Sequence, residues 1–200
     1  MKSEKMEKGE DLEQYYYTPD LDYHVGDVRV PDITEEYDPA REYPSVVDRF
    51  YTRYYHVRPE KVGEDHLVLL HSNRICLIGL APGHVAFEKG IASITYDIGN
   101  YDRSKNQVSG KAKKGGMQLQ PGTALGMIKC KDESEYKIIS CITGRLIEVN
   151  PRIVERPEMM KSEGEGYVAI VLPRIDKVEG IKASLLTEEQ YTARSEIQYK

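Results

Sequence analysis

From residue 45 onward the apolar positions fall in short bursts between polar turns. SVVDRFYTRYY sets Val46, Val47, Phe50, Tyr51, Tyr54 and Tyr55 at helical spacing around Asp48, Arg49, Thr52 and Arg53. This predicts an amphipathic helix that starts at Pro44-Ser45, ends before Pro59 and packs its aromatic stripe on a sheet. HLVLLHSNRICLIGLA, residues 66–81, holds two apolar runs around His71-Ser72-Asn73 and predicts a hairpin of buried strands. A strand over Ile91–Ile98 precedes a loop at 100–105, a strand over Gln107–Lys111 and a second loop at Gly115-Gly116. The turn Pro121-Gly122-Thr123 leads into a strand over Ala124–Cys130, a polar tip and a further short strand. A glycine turn and a strand to Val149 complete that outline. Asn150 and Pro151 pair as N-cap and N1 of a short helix, Pro151–Arg156. A Gly-rich turn precedes a strand over Tyr167–Leu172, and Thr187 with Gln190 forms a capping box for a helix over Glu188–Glu196. The expected fold class is mainly β with a few flanking helices.

Val108-Ser109-Gly110-Lys111-Ala112 and Ile142-Thr143-Gly144-Arg145-Leu146 share one pattern: β-branched, hydroxyl, glycine, base, apolar. Two such units joined by a hairpin suit a small pseudo-twofold β-sandwich in which each glycine lets the backbone turn. A match this short also arises by chance.

Charge divides the chain. Residues 1–44 carry 13 acids and 5 bases, a net −8, while residues 45–200 carry 20 acids and 23 bases, a net +3. The first segment is poor in aliphatic residues and holds Tyr15, Tyr16, Tyr17, Tyr23, Tyr37 and Tyr43. It buries too little apolar surface to offset its ordering entropy and is expected to be disordered. Its tyrosines suit docking anchors for a partner, or the segment is a spacer. The rest, 45–200, reads as one domain. No apolar run is long enough to span a membrane, and the polar, acidic start resembles neither a secretory signal nor a mitochondrial leader. Cys76, Cys130 and Cys141 are odd in number and lack CxxC spacing, which points to reduced thiols in a cytosolic or nuclear protein.

Candidate chemistry is sparse. Arg103, Lys105, Lys111, Lys113 and Lys114 form the densest basic cluster, either a solvated loop or a surface that meets an acidic partner. Gly115-Gly116 is not followed by the Lys-Ser/Thr of a phosphate loop. His66 and His71 are five apart and fall on opposite faces of a strand, a poor geometry for sharing a metal. Cys76 and Cys141 lie in apolar stretches expected to be strands, where a thiol is inert. Ser72 beside His71 is an adjacency in sequence, not a triad. Basic and aromatic residues do not interleave on a recognisable motif, so direct nucleic-acid binding is not expected.

ITGRLIEVN, PRIVERPEM, GEGYVAIVLP and LLTEEQY resemble, in order, the C-terminal half of the glycine cleavage H protein and its lipoyl-domain relatives. The resemblance implies a barrel-sandwich hybrid. Counted back from Gly144, the position of the carrier lysine falls on Glu133, with Lys131 as the only fallback. A lipoyl or biotinyl carrier is therefore the alternative function, and no cofactor is expected. Over about residues 45–192, the strings SVVDRFYTRYY, EDHLVLLHSNRICLIGLA, NQVSGKAKKG, ITGRLIEVN, EGYVAIVLP and LLTEEQY are similar to the Abitram (Simiate) family. That resemblance implies a non-enzymatic actin-binding adaptor and transcription modulator. It also implies a place in nuclear speckles, cytoplasm and actin-rich cell projections, with nuclear protein partners besides actin. The acidic first segment has no counterpart in that pattern, so nothing carries over to it.

Overall fold

The computed structural model describes residues 23–30, 37–99, 101–111 and 113–198. The chain divides into two compact units, Met1–Tyr43 and Pro44–Lys200. In the first, β1 (Tyr23–Val25) and β2 (Val28–Val30) pair antiparallel around Gly26, whose φ of +63° sets the tight turn. Within the segment 1–44 these residues form a short hairpin. Positions 1–22 and 31–36, with Tyr15, Tyr16 and Tyr17, lie outside the described residues.

The second unit begins with α1 (Val46–Phe50), and the next strand starts at once as β3 (Tyr51–His56). The long helix expected over 45–55 is thus one turn and a strand. Ser45 starts the turn by a capping box: Asp48 N donates to Ser45 Oγ at 3.1 Å and Ser45 N to Asp48 Oδ2 at 3.1 Å. Beyond Phe50 the aromatic run pairs residue for residue with β4 (His66–His71), from Tyr51 opposite His71 to His56 opposite His66. Six ladder positions override the helical spacing. The hairpin expected over 66–81 is present as β4 and β5 (Cys76–Leu80).

After α2 (Val85–Lys89) come β6 (Ile91–Thr95), the short pair β7 (Asp97–Ile98) and β8 (Tyr101–Asp102), and a 3-10 turn at Arg103–Lys105. No strand forms over Gln107–Lys111. That stretch enters a tight turn closed by paired amide bonds between Ser109 and Lys114, both 2.9 Å. There follow β9 (Gln118–Leu119), β10 (Ala124–Cys130), β11 (Glu135–Ile139) and β12 (Gly144–Val149). The last elements are α3 (Arg152–Glu155), β13 (Ala169–Leu172), α4 (Val178–Ser184), β14 (Leu186–Thr187) and α5 (Glu188–Gln198). Thr187 caps α5 as expected, with its amide donating to Gln190 Oε1 and its hydroxyl accepting from Gln190 N.

The unit is mainly β, as the sequence implies. Seven strands run in the order β14-β3-β4-β5-β13-β12-β9, and three in the order β11-β10-β6. Val68, Ile78, Leu146 and Val171 of the large sheet share one core with Leu125, Ile128, Ile138 and Ile94 of the small one. A second core lies on the opposite face, where Leu67, Leu69 and Leu77 pack with Val47, Tyr55 and Ala81. There α5 stacks Tyr191 on Tyr55 with ring centroids 4.0 Å apart. The 160–166 loop is clamped over the same face: Arg53 donates from Nε and Nη2 to the two carboxylate oxygens of Glu163 at 2.6 and 2.7 Å. Arg53 Nη2 also donates to Asp48 Oδ1 at 2.6 Å. Gly166 lets this loop close, because a Cβ there would lie 2.2 Å from the Met159 carbonyl oxygen.

The proposed repeat is not structural. Gly110 sits in a turn at φ +64°, whereas Gly144 opens β12 within the sheet, where a Cβ would meet Val171 Cγ1 at 2.6 Å. One glycine serves backbone twist and the other close packing.

His66 and His84 are buried between the sheets. His66 Nδ1 donates to the Glu64 carbonyl at 2.9 Å and Nε2 accepts from Ile139 N at 3.3 Å, joining the two sheets. His84 Nδ1 accepts from Ala86 N at 3.1 Å as the cap of α2. Burial holds both imidazoles neutral, His66 at about 3 and His84 at about 4, with nearby Arg58 acting in the same direction. Since these lie below the ordinary value, the unfolded chain protonates first on acidification. Stability is whole at pH 7 and falls below about pH 6.5, by about 1.4 kcal/mol per pH unit for each ring. Urea midpoints at pH 7 and pH 5 measure this; equal midpoints contradict it. Gly166→Ala should cost about 2–3 kcal/mol by the same assay.

Candidate partner-binding hollow

The basic cluster read from the sequence divides in space. Arg103 is turned inward, donating from Nε to the Ala124 carbonyl at 3.1 Å and from Nη1 to that of Tyr101 at 2.9 Å. Lys105 pairs with Asp102 at 3.6 Å, and Lys114 is exposed on the far strand of the tight turn. Lys111 and Lys113 instead border a hollow of about 470 Å³ at one end of the large sheet. There they meet Arg74 from the β4–β5 turn, Arg145 from β12, and Arg174 and Lys177 from the segment after β13. Leu172, Pro173, Gly144, Thr143 and Gln118 fill in the floor and walls, and none of the lining residues carries a carboxylate.

Two of the six cations build the hollow. Arg145 Nη1 donates to the Lys113 carbonyl at 2.8 Å, holding the tight turn against β12. Gln118, oriented with its amide oxygen toward Arg145, accepts from Nε at 2.9 Å and Nη2 at 3.1 Å. Arg74 Nη1 donates to the Pro173 carbonyl at 3.1 Å and fixes the opposite wall. Gly116 allows the close approach, since a Cβ there would lie 2.7 Å from Arg145 Cγ and from the Leu146 carbonyl oxygen. Asn106 secures the base of the loop: Nδ2 donates to the Leu146 and Ile147 carbonyls at 3.1 and 3.3 Å, and Oδ1 accepts from Met117 N at 2.9 Å. Lys111, Arg174 and Lys177 are exposed, and the last two flank Asp176 at 3.0 and 3.9 Å.

Sequence reasoning missed Arg74, Arg145, Arg174 and Lys177. They lie in three segments remote from Lys111 and in no local cluster. The one available signal was that each stands at a strand end or turn.

The remaining candidates sit elsewhere. Glu133 occupies the tip of the β10–β11 hairpin at φ +66° and pairs with Lys129. Lys131 opens the same tip, where its amide donates to the Gly90 carbonyl at 2.9 Å and its stem runs alongside Gly90. His71 Nδ1 accepts from Asn73 N at 3.1 Å, which commits the ring to its turn, with Ser72 Oγ 3.5 Å away. Cys76, Cys130 and Cys141 are free and buried, and burial pushes the Cys76 thiol up to about 12. Cys141 lies not in a strand, as expected, but in the β11–β12 turn at φ +63°, where its amide donates to Pro121. Among the described residues, no three His, Cys, Asp or Glu side chains are grouped to hold a metal ion. No described helix is long and apolar enough to cross a membrane.

A larger hollow of about 560 Å³ lies over the outer core, between Leu67, Leu77 and Gly79 and the 160–167 segment. Arg53 at its mouth is taken up by Glu163 and Asp48.

Fold and hollow together define a mainly antiparallel β protein with a cationic concave face. The chain belongs to the Abitram family. It is 49% identical over 185 residues to Protein Abitram of Drosophila melanogaster, covering 92% of this chain and 84% of the relative. It is 46% identical over 154 residues to Protein Abitram of Danio rerio, covering 74% of this chain and 87% of the relative. For Protein Abitram of Homo sapiens the identity is 45% over 156 residues, covering 74% and 85%. The Drosophila match reaches beyond what residues 45–200 alone supply, so the acidic first segment has a counterpart there, against expectation. A solved glycine cleavage system H protein from Mycobacterium marinum is similar at a TM-score of 0.46 and 15% identity, covering 71% of this chain and 95% of that one. No protein-family model matches the chain.

Arg145→Ala should free the tight turn. Amide hydrogen exchange at Ser109 and Lys114 should rise roughly tenfold or more, the loss of a hydrogen bond to a charged group being worth about 1.5–3 kcal/mol. Unchanged exchange would show that the guanidinium does not hold the loop.

Proposed function

We propose that this protein is a non-enzymatic adaptor that binds actin, modulates filament assembly and influences transcription, working in nucleus and cytoplasm. Family membership supports the reading, since actin binding and transcription modulation are what the resemblance to that family implies. One observation carries it to a surface: six cations from four segments converge on a hollow whose lining holds no carboxylate. A rigid frame with an unbalanced cationic face attracts an acidic protein surface and speeds encounter with it. The original candidates Lys111 and Lys113 belong to this face; Arg103 and Lys105 do not, being turned to carbonyls and to Asp102.

Co-sedimentation with actin filaments at low and high salt tests the proposal. The wild-type chain should pellet with filaments and do so less as salt screens the charge. Lys111→Glu, Lys113→Glu and Lys177→Glu combined should weaken binding by roughly tenfold or more. Unaltered pelleting of that variant removes the hollow from the actin site, and absence of wild-type pelleting removes actin as the partner.

A further inference from the structure

The basic hollow does not end at Arg74. A second hollow of about 380 Å³ adjoins it, also lined by Arg74, together with Arg49, Phe50, His71, Val178 and Lys182. Arg49 and Lys182 thus join the six cations of the first hollow along one continuous face. Three carboxylates lie on or beside that face. Asp48 is engaged by Ser45 and Arg53, Asp176 sits between Arg174 and Lys177, and Glu179 pairs with Lys182 at 2.8 Å. Eight cations against three carboxylates exceed the net +3 of all of residues 45–200, so the positive charge of this unit is concentrated here.

The second hollow adds an apolar element. Phe50 ends α1 with its ring 49% exposed. The Arg49 guanidinium lies 5.3 Å from its centroid, and the His71 ring stacks at 6.3 Å. Val46, one turn earlier, is 66% exposed. An exposed aromatic beside a guanidinium suits an anchor point at a protein interface, where aromatic residues and Arg are enriched.

We propose that the two hollows form one track for an acidic segment of a partner protein. Its carboxylates lie along Arg74, Lys113 and Lys177, and one apolar side chain seats beside Phe50 and Val178. This rests on the reading of the chain as a binding adaptor and specifies the chemistry of its partner. A single small anion does not fit as well. Arg74 and Arg145 already donate to the Pro173 and Lys113 carbonyls, and Arg174 and Lys177 flank Asp176. Single-stranded nucleic acid is held by stacking its bases on open aromatic faces, and the Phe50 ring is already flanked by Arg49 and His71.

Fluorescence anisotropy with the full chain tests the track. The probe is a labelled short Asp/Glu-rich peptide with one central Leu. The controls are the same peptide with Gln for every acid, the same peptide with Ser for Leu, and a single-stranded RNA of similar charge. The acidic Leu peptide should bind, and more weakly with added salt. Phe50→Ser and the pair Lys113→Glu, Lys177→Glu should each reduce affinity by roughly fivefold or more. Both sites are on the surface, and an unchanged melting curve confirms that the variants fold. Equal binding of the Gln peptide, indifference to both variants, or preference for the RNA overturns the track. Actin pelleting run in parallel separates the two proposals. Peptide binding without actin binding supports the track and removes actin. Actin binding without peptide binding removes the track alone.

Discussion

The structure depends on a sheet that must be covered on both faces. His66 to Leu70 are all buried, and so are Cys76, Leu77 and Ile78 beside them. Alternate side chains of a strand point to opposite faces, so an unbroken buried run needs two cores, not one. One face takes the three-stranded sheet. The other takes Val47 of α1, Tyr191 of α5 and the loop that Arg53 clamps through Glu163. Each leucine so covered is worth about 1.5–3 kcal/mol. Uncovering either face would therefore cost several such contributions, a large part of a domain's total stability.

Apart from His84 Nε2, which has no hydrogen-bond partner, the buried polar side chains of the described residues are satisfied locally, and they set the loops. Tyr96 Oη donates to the carbonyls of Asn150 and Val168, both at 2.9 Å. Asn150 Nδ2 donates to the Glu165 and Tyr167 carbonyls, and its Oδ1 accepts from Arg152 N, which starts α3. These bonds fix where β13 begins; it ends at Leu172, and the next residue, Pro173, meets Arg74. The wall of the basic hollow is thus placed by a network on the other end of the same strand.

The cationic face follows from this frame. Strand ends and turns are where a doubly covered sheet can afford charged side chains, since their heads reach water while their stems pack. At one end of the sheet those turns come from distant parts of the chain, and the charged side chains that line the hollow between them are of one sign. Arg74 and Arg145 spend hydrogen bonds on backbone carbonyls, which makes the concavity stiff, while Lys111, Arg174 and Lys177 remain on its exposed rim. A stiff wall with an exposed rim suits recognition of an acidic protein surface by charge first and fit second.

Local pattern alone determined much of this. The 66–81 hairpin, the β10 strand, the Asn150-Pro151 start of α3 and the Thr187–Gln190 cap each rest on neighbours within a few residues, and the fold keeps them. The quoted motifs, in order, also carried the family. Where long-range pairing competed with local spacing, pattern failed: the aromatic run after Phe50 became β3 because β4 offered a partner for every position. The 107–111 stretch became a turn because Arg145 holds the Lys113 carbonyl and Asn106 ties the base of the loop to Leu146 and Ile147, all remote along the chain. The pairing of Lys111 and Lys113 with Arg74, Arg145, Arg174 and Lys177 was decided only by tertiary structure. Charge is written residue by residue, but which charges share a hollow depends on long-range strand order, and no local spacing encodes that order.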